Sequence, residues 1–139
     1  MGLVYADIEL LNGGDFLRFR EGSLVESEIR RMTVRMNADS GALMLAINDV
    51  IKEQLGLPVL EVRNAQLADG NIVPLEVVGP VEVRFANRQC TTRAFVLPGN
   101  AQPLLGAIPM EDMDILIDPA RRQLIVNPEH PIVAQMELR

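Results

Sequence analysis

The run Met32-Thr33-Val34-Arg35-Met36-Asn37-Ala38 leads without a break into Asp39-Ser40-Gly41-Ala42. Met32, Val34, Met36 and Ala38 alternate with Thr33, Arg35 and Asn37, the period of two of a half-buried strand. An apolar strand therefore delivers a carboxylate, Asp39, onto a tight turn, and a second apolar stretch follows. Gly41 lets the backbone turn and lets another chain come close. Ser40 offers a short hydroxyl able to hold the turn by bonds to backbone. Taken alone, the tripeptide also reads as an ordinary strand end, where Asp, Ser and Gly are common for local reasons.

Downstream the period changes. Ile47, Val50, Ile51 and Leu55 share one helical face, with Asn48 as N-cap, Gly56 as the residue after the helix and Pro58 barring its continuation. The spacing predicts a helix over residues 48–55. Two extended runs, residues 59–67 and 71–78, flank Asp69-Gly70, a strong hairpin signal because the turn needs positive φ. Val81, Val83 and Phe85 alternate with Glu82 and Arg84, and Asn87-Arg88 turns into a strand over Gln89–Leu97. Leu104-Leu105-Gly106 is a short apolar run. Residues 109–113 read as a helical turn with Pro109 at an early position. A last hairpin joins Ile115–Ile117 to Leu124–Val126 around Asp118-Pro119, and the tail from Asn127 reads as irregular. Upstream, residues 3–11 form a strand that ends at Asn12-Gly13-Gly14, with Phe16-Leu17-Arg18-Phe19 as its hairpin partner. About eight short strands with one clear helix argue a small closed barrel or sandwich.

The chain has 139 residues, which predicts one domain. A length of that order buries roughly 68% of its unfolded surface, enough for one core. With 48% hydrophobic and 23% charged residues it is globular rather than disordered. Thirteen basic against nineteen acidic residues leave a net charge of −6, which repels phosphate backbones and anionic bilayers. Nucleic acid and membrane are therefore not expected partners, and no run approaches the length of a membrane span. Nothing at the N-terminus reads as a signal peptide, so the expected location is cytoplasmic. The single cysteine, Cys90, excludes an internal disulfide and a Cys-rich zinc site, and the single histidine, His130, argues against a His-based triad.

The ordered set of features resembles the retropepsin-like aspartic proteases, the homodimeric, single-domain family of the retroviral proteases and their cellular relatives. The resemblance spans Thr33 to Pro119. Asp39-Ser40-Gly41-Ala42 matches the family's Asp-(Thr/Ser)-Gly-Ala motif. The hairpin at Leu67-Ala68-Asp69-Gly70-Asn71-Ile72 lies where the family has its flap, and the strands Val81–Phe85 and Thr91–Leu97 follow. Pro103-Leu104-Leu105-Gly106-Ala107 is similar to the second motif, two apolar residues and a glycine before a short helix.

The resemblance implies an all-β fold with one or two short helices, the closed β-barrel of the acid proteases, over residues 1–126, with a tail over 127–139. It implies a homodimer, because one chain supplies one aspartate, and an extended peptide or protein as substrate. Asp39 and its symmetry mate would share a proton and activate a water. Ser40 would tie the two loops together, Gly41 would leave room for substrate backbone, and residues 67–72 would close over the peptide. Neither metal nor organic cofactor is implied.

Three residues depart from the family pattern: Ala38 stands where a larger aliphatic is usual, Leu43 where Thr or Asp is more common, and Asn37 is an unusual polar neighbour. The tip of the hairpin also lacks the aromatic or paired glycines of some relatives. These departures motivate a second reading, a non-catalytic module on the same fold that binds extended peptides or dimerises. A third is a generic barrel with an accidental Asp-Ser-Gly turn.

The other candidates have plainer readings. Cys90 reads as a buried structural thiol and His130 as a solvated tail residue. Glu111, Asp112 and Asp114 read as an exposed acidic helix start, Arg121-Arg122 as a solvated pair in a turn, and Met32, Met36 and Met44 as core filler.

Overall fold

The computed structural model describes residues 3–139. Met1 and Gly2, the first two residues of the expected domain, lie outside the described residues. The strands are β1 (Tyr5–Asn12), β2 (Arg31–Ala38), β3 (Leu45–Asn48), β4 (Val59–Gln66), β5 (Ile72–Phe85), β6 (Arg88–Leu97), β7 (Leu104–Leu105), β8 (Ile115–Asp118) and β9 (Gln123–Val126). Three short helices, α1 (Gly13–Glu21), α2 (Asp49–Leu55) and α3 (Ala107–Met113), are set among them.

Seven strands run in the order β1-β2-β7-β3-β6-β5-β4, and β1 pairs with β5 as well. That extra pairing, Leu10 opposite Val83, closes six strands into a ring and leaves β4 outside it on β5. The alternation read from β2 is the alternation of burial: Val34, Met36 and Ala38 face inward and Thr33 and Arg35 face solvent. Ile8, Leu10, Met36, Leu45, Ile47, Val83 and Leu105 are all fully buried inside the ring. Each such side chain contributes about 1.5–3 kcal/mol by leaving water, so the strands close because their apolar faces have no other shelter. Met36 is core filler as read, Met32 packs at the core's edge, and Met44 is only half-buried. Cys90 is buried in β6, and burial first, then Asp112 and Glu82, push its thiol up to about 12.

The helix after β3 forms as its spacing predicts. Asn48 caps it by accepting from Ile51 N at 3.0 Å, and Gly56 ends it at φ +62°. The last hairpin also forms, with β8 and β9 as a separate two-stranded sheet.

The expected hairpin between residues 3–11 and 16–19 does not form. Residues 13–21 are the helix α1, and β1 pairs instead with β2, Leu10 opposite Met32. Asn12 decides this. Its Oδ1 accepts from Asp15 N at 2.9 Å as an N-cap, while its Nδ2 donates to Leu55 O at 2.7 Å. Glycines that read as a turn are thus the helix's first two residues. Gly22, at φ +87°, ends the helix where a side chain would be strained.

Asp15 then ties α1 to the strand that follows. Its buried carboxylate accepts from Arg30 N at 3.0 Å, Arg30 Nε at 2.8 Å, Arg30 Nη2 at 3.0 Å and Arg18 Nη2 at 2.6 Å. The Arg30 bonds, with Arg18 assisting, hold this carboxyl well below the usual range even though burial works the other way.

The tail from Asn127 carries neither helix nor strand, yet it is fastened. Asp114, the residue capping α3 at φ +55°, accepts from Asn127 Nδ2 at 3.0 Å and Gln135 N at 3.0 Å, and its Oδ2 lies 2.7 Å from His130 Nδ1. His130 is therefore a half-buried partner of Asp114 rather than a solvated tail residue. The acidic cluster likewise sits at the end of α3 and not at its start. The bonds from Asn127, Gln135 and His130 hold the Asp114 carboxyl at about 2. Among the described residues no helix is long and apolar enough to cross a membrane.

Two predictions follow from these carboxylates. Asp15→Ala lowers unfolding free energy by about 2 kcal/mol in denaturant titration, because charged hydrogen bonds are lost while half-exposed Arg30 regains water. A depressed carboxyl stabilises the fold fully above its unfolded value of about 4 and loses that stabilisation as pH falls. The difference between native protein and Asp15→Ala therefore shrinks below about pH 4. Separately, Asp114→Ala speeds cutting of residues 131–139 by an added protease at neutral pH. In the native protein the same release appears only as pH falls through about 2.

Candidate active site

Asp39 leaves the end of β2 at the floor of an open loop. Its backbone N donates to Leu105 O at 2.9 Å, and its own carbonyl accepts from Ala42 N at 3.1 Å. Its Oδ1 accepts from Gly41 N at 2.8 Å, so the carboxylate folds back onto its own turn. Among the described residues Oδ2 accepts no hydrogen bond. Asp39 is half-buried; Ser40 and Gly41 are exposed. Ala38, beneath the carboxylate, is 5% exposed, whereas Leu43 beyond the turn is 68% exposed.

The second motif holds this loop from behind. β7 lies parallel to β2, with Ala38 beside Leu105, and antiparallel to β3, with Leu45 beside Leu105. Two residues thus wedge apart the strand that enters the loop and the strand that leaves it. The first turn of α3 continues the support: Ala107 N donates to Ala42 O and Ile108 N to Leu43 O, each at 2.8 Å. Those N–H groups have no partner within a helix, so the loop satisfies them and is itself fixed. Gly106 makes this approach possible. A Cβ there would stand 2.6 Å from the Leu43 carbonyl carbon and 2.7 Å from Met44 N, inside contact distance of backbone that cannot move aside.

Beside Ser40 lies a cleft of about 210 Å3 walled by Ala107, Met110, Ile115, Leu116 and Ile117, with Glu111 among its lining residues. Leu43, Ile108 and Leu116 are exposed large apolar residues on these same elements.

The hairpin arm of β4 and β5 carries the other candidate residues. Leu67 N donates to Asn71 O at 2.8 Å and Gly70 N to Leu67 O at 2.9 Å, with Gly70 at φ +87°. Asp69 stiffens the tip by accepting from Asn71 N and Asn71 Nδ2, both at 2.9 Å. Leu67, Ala68, Asp69, Gly70, Asn71 and Ile72 are all exposed. Residues 39–42 and 104–106 are therefore joined in one hydrogen-bonded unit, whereas no hydrogen bond among the described residues links 67–72 to it.

The supporting N–H groups of Ala107 and Ile108 escaped the sequence reading, as did Gln102, whose Nε2 donates to Arg35 O at 3.1 Å. Backbone donors leave no mark on a sequence beyond the glycine that lets them approach. Among the described residues no three His, Cys, Asp or Glu side chains gather as a metal site would require.

No family model matches the chain, and no curated protein matches it. Solved structures do. The chain is similar to the retroviral protease-like domain of Ddi1 from Leishmania major, with a TM-score of 0.56 and 16% identity over 92% of this chain and 90% of that one. It is also similar to a retropepsin-like aspartic protease from Rickettsia conorii, with a TM-score of 0.51 and 14% identity over 89% of this chain and 79% of that one. The chain has a retropepsin-like fold.

Gly106→Ala is the direct check on the support behind the loop. The added methyl group forces Leu43 and Met44 backbone to shift and lowers stability by about 2 kcal/mol, read as a lower denaturation midpoint at unchanged slope. Unchanged stability would mean that α3 does not press on the loop as described.

Proposed function

We propose that this chain is the protomer of a homodimeric aspartic endopeptidase, with residues 1–126 as the catalytic domain and Asp39 as the catalytic residue. One observation carries the reading. A carboxylate with an unengaged oxygen sits on a loop whose backbone is clamped by β7 and α3, in a retropepsin-like fold. The loop is rigid and open, as a group that must meet both water and substrate requires.

A single chain offers one carboxylate, so two copies bring their Asp39 loops together about a two-fold axis. Two carboxyl groups that close hold one proton between them. The ionised member takes a proton from a bound water, which attacks the scissile carbonyl carbon. The protonated member donates a hydrogen bond to the carbonyl oxygen as negative charge develops there. Collapse of the tetrahedral intermediate breaks the C–N bond, and the leaving amine takes from the carboxyl pair the proton removed from water, which restores the singly protonated pair. The exposed Ser40 hydroxyl is free to bond across the pair, and Gly41 leaves space for substrate backbone. Leu43, Ile108 and Leu116 give the meeting surface an apolar rim. The arm over residues 67–72 covers an extended peptide, whose backbone pairs as a strand would. Base and acid both come from the carboxyl pair, so no metal or organic cofactor enters the mechanism.

A second reading keeps the fold and drops the chemistry. Ala38 puts little bulk at the end of β2, and Leu43 leaves an exposed apolar side chain just past the turn. Either change favours a module that binds extended peptides, or only dimerises.

Incubation with a mixed peptide library between about pH 4 and 7, the range in which carboxyl pairs titrate, separates the two readings. The native protein cleaves, and Asp39→Asn lowers the rate by at least about 10³-fold. Cleavage that survives in the variant contradicts the catalytic assignment. A dimer that binds peptide without turnover favours the second reading.

A further inference from the structure

The arm of β4 and β5 leaves the ring at a defined level. Val77 pairs with Glu61 on one side and with Phe95 of β6 on the other. Beyond that level, residues 62–66 pair only with residues 72–76 among the described residues. A two-stranded ribbon has little stiffness of its own in water. Its root is irregular on both strands, with register shifts between Val59 and Glu61 and between Val78 and Val81. Such irregularities bend a strand locally and weaken its pairing.

Two hydrogen-bonded ion pairs tie this root to the body, beside a looser Glu61–Arg63 pair at 3.9 Å within β4. Glu61 on β4 accepts from Arg93 Nη1 on β6 at 2.7 Å. Glu76 on β5 accepts from Lys52 Nζ on α2 at 2.8 Å. Glu76 pairs with Val62 and Glu61 with Val77, so the two carboxylates mark adjacent levels where the free ribbon begins. Each strand of the arm is thus tied to a different element of the body. Glu76 raises the affinity of the Lys52 ammonium for its proton, so Lys52 stays charged throughout the neutral range.

We propose that Glu61–Arg93 and Glu76–Lys52 are tethers that set the angle of the arm against the ring, and that Lys52 and Arg93 are positioning residues for the peptide the arm covers. The proposal rests on the reading of the arm as the cover of a peptide site. All four side chains are at least partly exposed, between 24% and 43%. Pairs of this kind shift an equilibrium by about threefold each and not by orders of magnitude. A cover that must admit substrate and release product needs a restraint of that modest size.

Nitroxide labels on Ala68→Cys at the arm tip and Arg20→Cys on α1 report the angle directly. Both positions are exposed, while native Cys90 is buried and unreactive. Labelled chains are diluted with unlabelled ones so that a dimer carries one labelled chain. Without peptide, the native protein gives one narrow distance distribution. Lys52→Gln with Arg93→Gln adds a second, displaced population beside that peak, and Lys52→Arg with Arg93→Lys leaves it single. In cleavage assays the Gln double variant raises KM by about twofold with kcat little changed, because two threefold steps still leave about half the arms in the tethered position. An unchanged distance distribution in the Gln double variant overturns the tethers, whatever the protein does to peptides. A second population with unchanged KM overturns the positioning role. If the native protein cleaves nothing, the function above fails, and the distance distributions still decide the tethers.

Discussion

The candidate site depends on the insertion of β7 between β2 and β3. Leu104 and Leu105 pair with the strand that delivers Asp39 and with the strand that carries the chain away. Without that wedge the two strands would have unpaired backbone inside an apolar ring, at a free-energy cost no loop could offset. Gly106 then allows α3 to start in contact with the loop, and the first N–H groups of the helix bond to Ala42 and Leu43. One short segment therefore closes the ring, places the carboxylate and fixes its turn. The price of this economy is that the residues 103–108 tolerate little change in shape.

The fold around the candidate site was legible in the sequence to the extent that it is local. The alternation from Met32 to Ala38 is a strand because each inward residue meets the core of a closed ring. Asp69-Gly70 is a hairpin because only its own backbone need be satisfied. Asn48 and Gly56 bound a helix through bonds that span a single turn. The error at residues 13–21 has the opposite character. Asn12 is a cap whose amide is also claimed by Leu55, 43 residues away, and Asp15 is held by Arg30. Gly13-Gly14 reads as a turn and Phe16-Leu17-Arg18-Phe19 as a strand, and tertiary partners override both. The Asp114 clasp was hidden for the same reason, since it gathers Asn127, His130 and Gln135 onto a residue that looked like one of three solvated acids. β7 has only two residues, and in the sequence Leu104-Leu105-Gly106 shows as a short apolar run and a motif rather than as a strand.

Glu82 and Arg88 are buried on β5 and β6, but the charged pairs that join separate elements lie at the edges of the structure. The core of the ring is apolar, and the well-formed ion pairs lie where separate elements meet: Asp15 with Arg30 under α1, Glu61 with Arg93 and Glu76 with Lys52 at the root of the arm. The first is shielded on its acid side and holds an element in place. The other two are open to water and restrain weakly. This gradation, from a rigid loop through a fastened tail to a lightly tied arm, matches what a site that binds and releases extended chains would need.

The central claim is that two copies of Asp39 work as a pair. A crystal structure of the protein with an extended, non-cleavable peptide measures this directly. The account predicts a two-fold dimer with the nearest carboxylate oxygens of the two Asp39 residues within about 3 Å, hydrogen-bonding distance for a shared proton, and the peptide lying across them. A peptide bound to a single chain, or a dimer that holds its Asp39 loops on opposite faces, would contradict it.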